Sequence, residues 1–461
     1  MRIVIYSLIY LLMVNSLVAQ DVTGSWSGTL DVKGTRLRVV FNVTETEKGY
    51  ASTMDSPDQG VKGIPVKSTQ LKGSVITFEV PMAGISYEGF HKDSVIVGTF
   101  TQHNQDFPLT LTKKLTKEHV VSRPQEPKEP YPYTSEEITF KNEKAGIALA
   151  GTLTIPKVKG TFPVVILISG SGPQNRDEEL MGHKPFLVLS DYLTRNGIAV
   201  LRYDDRGVGG STGDFGSATS ADFATDVESG ITYLKSRHEL PIDAIGLVGH
   251  SEGGLIAPMV ATGSKKVDFM VLMAGSGIRG DKLLLLQEEL IERVLGTPEP
   301  EIKRMLETNR KLFDAIVKSN DDTALKAELR GVLEGESEIK VPDGMTKEAY
   351  VDAQINQFTS PWVTYFLRYD PTRTLGKVKC PVLAINGSKD LQVPPKENLS
   401  AIQSAVQKGG NTNVTIKEFK DLNHLFQEAQ TGSPLEYSVI EQTMAPIVLK
   451  EVAAWIKEWN K

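Results

Sequence analysis

The chain of 461 residues carries 51 Lys and Arg against 57 Asp and Glu, a formal net charge of −6, with 40% hydrophobic and 23% charged residues. Single cores stop growing at about 250–300 residues, so this length implies more than one domain. The slightly acidic balance offers no attraction to a phosphate backbone, which argues against nucleic acid as a partner.

Residues 1–20 open with Arg2, continue through an apolar run from Ile3 to Val14, and end in Ser16-Leu17-Val18-Ala19-Gln20. This pattern reads as a secretory signal peptide cut near Ala19 or Gln20. A retained anchor is the rival reading, but the run is shorter than the ~20 residues that span a bilayer. The expectation is an exported protein, periplasmic or extracellular, with no stable membrane anchor once the segment is removed. Cys380 is the sole cysteine, so no intramolecular disulfide can form. It precedes the apolar Pro381 to Ile385 and reads as a small buried hydrophobe.

From residue 21 to 114, short alternating segments such as Leu37 to Val43, Val75 to Val80 and Ser94 to Phe100 are broken by Gly and Asp. Period-two runs rich in β-branched and aromatic residues predict an antiparallel β-sandwich or small barrel. His91 and His103 fall near strand ends and are expected at the surface, since no second ligand stands at metal-binding spacing. Residues 115–134 hold Pro124, Pro127, Pro130 and Pro132 among charges, a composition that predicts an extended linker.

Residues 135–461 change rhythm. Near-continuous apolar strands at Val164 to Ile168, Ala199 to Leu201, Ile245 to Val248, Met270 to Met273 and Val382 to Ile385 alternate with helices, for instance Phe186 to Arg195 and Ala221 to Arg237. This predicts an α/β fold with a mostly parallel sheet covered on both faces. Residues 277–375 carry helical sequence without strand signal and read as a cap inserted between two core strands. A final helix repeats Val448, Val452, Trp455, Ile456 and Trp459 toward the sheet.

Gly249-His250-Ser251-Glu252-Gly253 lies between a strand and a helical segment, the context in which a G-x-S-x-G turn exposes its serine as a nucleophile. A serine needs a base to take its proton and an acid to orient that base. Of seven histidines only His424 follows Ser251, in a loop beyond the strand-like Val414 to Phe419. Asp390, in the loop after Val382 to Ile385, is the candidate acid; Asp421 competes, but so close to His424 in one loop it suits a turn better. His250, beside the serine on so tight a turn, is expected to aim its ring elsewhere. The candidate oxyanion donors are the Glu252 N–H and the N–H of Ser171, with Gly172 as alternative, in Ser169-Gly170-Ser171-Gly172-Pro173. Tyr203 to Ser211 reads as an ion-paired loop shaping the site.

On these residues, with Asp205-Arg206-Gly207-Val208-Gly209 and with Ser360-Pro361-Trp362 through Tyr369-Asp370-Pro371, the region from Tyr133 to Lys461 resembles the α/β-hydrolase superfamily. It looks most like two-domain bacterial carboxylesterases of the serine-aminopeptidase-like branch. The resemblance implies hydrolysis of short acyl esters through a Ser-His-Asp triad, with no metal or organic cofactor. Ser169 departs from the histidine that many relatives carry in the oxyanion loop. Two other readings stand beside this one: a serine peptidase, whose substrate ammonium Glu288, Glu289 and Glu292 could hold, and an envelope binding protein without catalysis.

Overall fold

The computed structural model describes residues 22–459, except 33, 34, 47, 48, 58–60, 82, 83, 103, 104, 114–121, 264, 265, 337–340 and 342–344. The proposed signal segment, His103 and the start of the Pro-rich stretch lie outside the described residues. The chain forms two compact units that divide at residue 117, except that residues 31–37 and 56–61, at strand ends of the first, group with the second.

The first unit holds β1 (Gly24–Val32), β2 (Thr35–Thr46), β3 (Gly49–Ser56), β4 (Val61–Val66), β5 (Ser68–Lys72), β6 (Val75–Val80), β7 (Ile85–Lys92), β8 (Val95–Gln102) and β9 (Gln105–Thr112). They form one sheet in the order β4-β3-β2-β1-β9-β8-β7-β6-β5. The two edge strands are joined by Lys67 alone, so the edges meet and the antiparallel sheet rolls into a nearly closed barrel. Trp26, Phe41, Phe78 and Tyr87 are fully buried, and Phe41 stacks on Phe78 at 4.2 Å between centroids. His91 is not at the surface as its position near a strand end suggested. The period of β7 places it on the inner face with Ile85 and Tyr87, where it is 3% exposed and meets Trp26 edge-on at 5.2 Å.

The second unit begins with residues of the Pro-rich stretch that are packed rather than free. Arg123 donates to the carbonyls of Met181, Gly182, Ser438 and Ile440, and Gln125 binds the backbone of Thr443 and Met444. The chain continues through β10 (Thr134–Asn142), β11 (Ile147–Ile155), β12 (Phe162–Ile168), α1 (Pro185–Arg195), β13 (Ala199–Tyr203), α2 (Ser220–Ser236), β14 (Ile242–His250), α3 (Gly253–Gly263) and β15 (Phe269–Met273). Between β15 and the next strand lie α4 (Gly280–Leu295), α5 (Glu299–Lys318), α6 (Asp322–Gly335), α7 (Lys347–Phe358), α8 (Pro361–Arg368) and α9 (Pro371–Leu375). Then follow β16 (Val382–Gly387), α10 (Pro395–Lys408), β17 (Val414–Phe419) and α11 (Pro446–Trp459).

The eight strands are ordered β10-β11-β13-β12-β14-β15-β16-β17, antiparallel through β10, β11 and β13 and parallel from β13 onward. Every residue of β12, β13, β15 and β16 is buried, which is why these strands read as unbroken apolar runs. One core cluster packs α2 and α3 on one face, and another packs α1 and α11 on the other. In α11, Val448, Val452, Trp455 and Ile456 are buried, whereas Trp459, the helix's last residue, is 40% exposed. The chain leaves β12 for β13 on one side and returns to β14 on the other, a topological switch point whose crevice opens at the carboxyl ends of β12 and β14. The fold is that of an α/β-hydrolase with a helical insertion, preceded by a barrel-like antiparallel domain.

Arg206, 8% exposed, donates from two nitrogens to Asp226 at 2.8 and 2.9 Å, and Asn142 reaches the same carboxylate at 2.7 Å. Asp226→Ala leaves the guanidinium buried without its partner, at an expected cost of about 3–5 kcal/mol. Asp314→Ala removes only an exposed pair with Lys318 at 3.2 Å and is expected to cost under about 1 kcal/mol. Urea denaturation of both variants measures the contrast.

Candidate active site

Ser251 begins the turn that ends β14 and opens α3, with φ +53°, a left-handed conformation that costs a non-glycine residue energy. The turn is held because Ser251 N–H donates to the Met273 carbonyl at 2.9 Å, tying it to β15. Its flanking glycines are demanded by space. A Cβ on Gly249 would lie 2.1 Å from the Gly253 carbonyl oxygen, and one on Gly253 would lie 2.0 Å from that of Ile168 at the end of β12. The loop after β12 approaches equally closely, since a Cβ on Gly170 would stand 3.2 Å from Ser251 Cβ.

His424 comes from the loop after β17 and is 4% exposed. Its Nδ1 lies 2.8 Å from Asp390 Oδ2. Asp390, from the loop after β16, is fully enclosed by its side chain, and its other oxygen accepts the N–H groups of Gln392 at 2.9 Å and Val393 at 2.8 Å. Three groups thus surround the carboxylate, two backbone N–H groups on one oxygen and the His424 ring on the other. Asp421 goes elsewhere: it has φ +61°, is half exposed and pairs with Lys389 at 3.1 Å.

Ser251 and His424 line one cavity of about 220 Å³, together with Gly170, Ser171, Gln174, Glu178 and His250 from the sheet loops. Leu283, Leu284 and Gln287 of α4 and Trp362 and Phe366 of α8 close it from the inserted helices, and Leu180, Gln392, Val393 and Leu425 complete it. Ser171 therefore faces the cavity, whereas Gly172, with φ +92°, is not among its lining residues. Among the described residues neither the Glu252 N–H nor the Ser171 N–H has a hydrogen-bond partner, which leaves both free to donate.

Several further charged groups stand around the crevice. The Glu252 carboxyl is buried and accepts from Ser220 Oγ at 2.6 Å and Trp362 Nε1 at 2.8 Å, so the inserted α8 grips the residue next to the serine. Burial pushes that carboxyl above its ordinary value, and hydrogen bonds from Ser220, Trp362 and Ser171 pull it part of the way back. Asp205 is likewise pushed up to about 7 by burial, against hydrogen bonds from the Gln174 N–H and Ser169 hydroxyl. Its neighbours are ion-paired, Asp204 with Arg176 at 2.8 Å and Arg206 with Asp226 at 2.8 Å. Glu178, at φ +51° in the loop after β12, is 4% exposed and accepts from the Gly170 N–H at 2.8 Å. It lies in the polar run Gln174 to Glu179, and only the fold turns it inward. His250 does aim its ring away, placing Nδ1 2.9 Å from Glu178 Oε1 and Nε2 3.0 Å from the His424 carbonyl.

Such a set, a serine on a strained elbow with a buried histidine–aspartate pair at the same cavity, has the parts needed to activate a hydroxyl. Fold and site together place the chain among the α/β-hydrolases. Residues 185–429, more than half of the chain, match the family described as "Serine aminopeptidase, S33", and the chain belongs to that family. It is 27% identical over 311 residues to "Esterase EstD" of Thermotoga maritima, an alignment covering 67% of this chain and 65% of that relative. The chain thus spans about two thirds of the relative's length. A 31.7 kDa uncharacterised protein of Escherichia coli is 26% identical over 278 residues, 59% of this chain and 87% of its own. Among solved structures, an esterase from Pyrococcus furiosus aligns at 16% identity and TM-score 0.44, over 74% of this chain and 99% of its own. Est1E from Butyrivibrio proteoclasticus aligns at 16% identity and TM-score 0.40, over 70% of this chain and 98% of its own.

Gly253→Ala is expected to displace the elbow from β12 and to destabilise the second unit by about 1–3 kcal/mol or more. Gly331→Ala, inside α6 where an added Cβ meets nothing within 4 Å, is expected to stabilise by about 0.5–1 kcal/mol. Thermal denaturation of the two variants reads the opposite signs.

Proposed function

We propose that this protein is a serine hydrolase of carboxylic esters, in which Ser251 is the nucleophile, His424 the general base and Asp390 the group that orients the base. The observation that carries the proposal is the buried His424 ring, fixed at 2.8 Å to Asp390, facing the same cavity as the strained Ser251. The name esterase borne by the Thermotoga maritima relative supports the same reaction class.

In this reading Ser251 Oγ attacks the ester carbonyl carbon while His424 Nε2 takes its proton. The carbonyl oxygen becomes an oxyanion, and the Glu252 and Ser171 N–H groups are the donors placed to receive it. The intermediate collapses, the C–O bond to the alcohol breaks, and His424 returns the proton to the departing alkoxide. Water, deprotonated by His424, then attacks the acyl-enzyme, releasing the acid and restoring Ser251. Asp390 orients the ring and holds the imidazolium that forms twice per cycle.

A cavity of about 220 Å³ walled by Leu283, Leu284, Phe366, Val393 and Leu425 suits a short acyl chain better than a long one. A peptidase acting on free amino termini needs an available carboxylate in that space. Glu288 is instead bound by Asn309 at 2.6 and 2.7 Å, Glu289 pairs with Arg293 at 3.0 Å, and Glu292 accepts from Thr297 at 2.5 Å. None of the three lines the cavity. Export remains part of the proposal on the strength of residues 1–20, and amino-terminal sequencing of the mature protein would show a start near Asp21 or, against it, at Met1.

Wild type is expected to hydrolyse p-nitrophenyl acetate or butyrate and to be labelled by a fluorophosphonate. Ser251→Ala should abolish both, and Asp390→Asn should lower kcat on the order of 10³- to 10⁴-fold. Cleavage of an aminoacyl p-nitroanilide without ester hydrolysis would replace the esterase reading by the peptidase one, and absence of labelling would remove the serine mechanism.

A further inference from the structure

A second acid–histidine pair is buried beside the first. Glu178 and His250 are 4% and 6% exposed, and neither belongs to the Ser251–His424–Asp390 set. Glu178 Oε1 accepts the Gly170 N–H at 2.8 Å and faces His250 Nδ1 at 2.9 Å. His250 Nε2 donates in turn to the backbone carbonyl of His424 at 3.0 Å, and the two imidazole rings lie 4.8 Å apart between centroids. These bonds form a continuous path. Its start, Gly170, precedes Ser171 in the loop after β12, and its end is the residue that carries the base. The path crosses beside Ser251, because His250 is the last residue of β14.

We propose that Glu178 and His250 are positioning residues of the hydrolytic site, tying the loop that carries Ser171 to the loop that carries His424 so that oxyanion donor and base keep a fixed separation across Ser251. This inference rests on the roles given to Ser251, His424 and Ser171 above. Without the tie, the two loops depend on elements at different places in the sheet, β12 and β17, with three strands between them in its order. Displacement of either by as little as 1 Å is enough to impair a reaction that needs both at once.

The chemistry of the pair fits a fixed strut. A carbonyl only accepts, so His250 Nε2 carries a proton, and Nδ1 meets an oxygen of a carboxylate. Burial alone would push the ring below its ordinary value, but the Glu178 charge, its hydrogen bond and the His424 carbonyl outweigh that and raise it, favouring the doubly protonated ring. Glu178 Oε2 is buried and has no hydrogen-bond partner among the described residues, so the carboxylate is held through Oε1 alone.

The test compares wild type, Glu178→Gln, His250→Phe and the double variant in the full chain, with p-nitrophenyl butyrate as substrate. Fluorophosphonate titration counts active sites, and thermal denaturation checks folding. Each single variant is expected to lower kcat per titrated site about 10- to 100-fold with KM within about twofold of wild type. The double variant is expected to be no slower than the worse single, as for two parts of one strut. Unchanged kcat per site in both folded singles overturns the proposal. So does a loss of activity matched entirely by fewer titratable sites, which is a folding defect, and so does a double variant whose loss is the product of the two singles. A wild type that neither titrates nor hydrolyses the ester would instead refute the hydrolase reading itself.

Discussion

The structure of the second unit depends on one backbone constraint: a serine held at φ +53° where β14 ends, at the point where the sheet's connections reverse direction. That conformation is costly for a residue with a Cβ and persists only because its surroundings over-determine it. The Ser251 N–H is taken by β15, Gly249 and Gly253 are pressed against each other and against β12, and Gly170 leaves room for the loop that faces the serine. The parallel strands behind it, buried along their whole length, form a rigid base, and Ser251, Asp390 and His424 stand on turns and loops at strand ends.

Around that elbow the charges are arranged so that each buried carboxyl has a defined set of donors. Asp390 has two backbone N–H groups and His424, Glu178 has Gly170 and His250, and Glu252 has Ser220 and Trp362. The Trp362 contact makes the helical insertion more than a cover. It lines the cavity with the apolar faces of α4 and α8 while bonding to Glu252, the residue after Ser251, so the insertion and the elbow form a single unit of structure. Networks of this kind hold their members in place, and breaking one is costly.

Much of this was legible in the sequence because the signals are local. Buried parallel strands announce themselves as apolar runs, the elbow requires its glycines within five residues, and His424 stands alone downstream of Ser251. Asp390 was legible through its place after an apolar strand. What was hidden depends on distance in the chain. Glu178 and His250 are 72 residues apart and meet only when β12 and β14 pair, and the carboxyl lies in a run of polar residues that resembles an exposed loop. Arg123 and Gln125 reach carbonyls more than 300 residues away, so a composition that looks like a free linker is docked instead. His91 was misplaced because its proximity to a strand end outweighed the period-two position that puts it inside the barrel.

The most direct measurement of the central claim is the mass of the covalent intermediate. Rapid acid quenching during turnover of a p-nitrophenyl ester, followed by peptide mapping, should show one acyl group per chain on the peptide containing Ser251, released again as hydrolysis completes. An acyl group on any other residue, or steady hydrolysis with no adduct on a chain whose Ser251 is intact, would contradict the account.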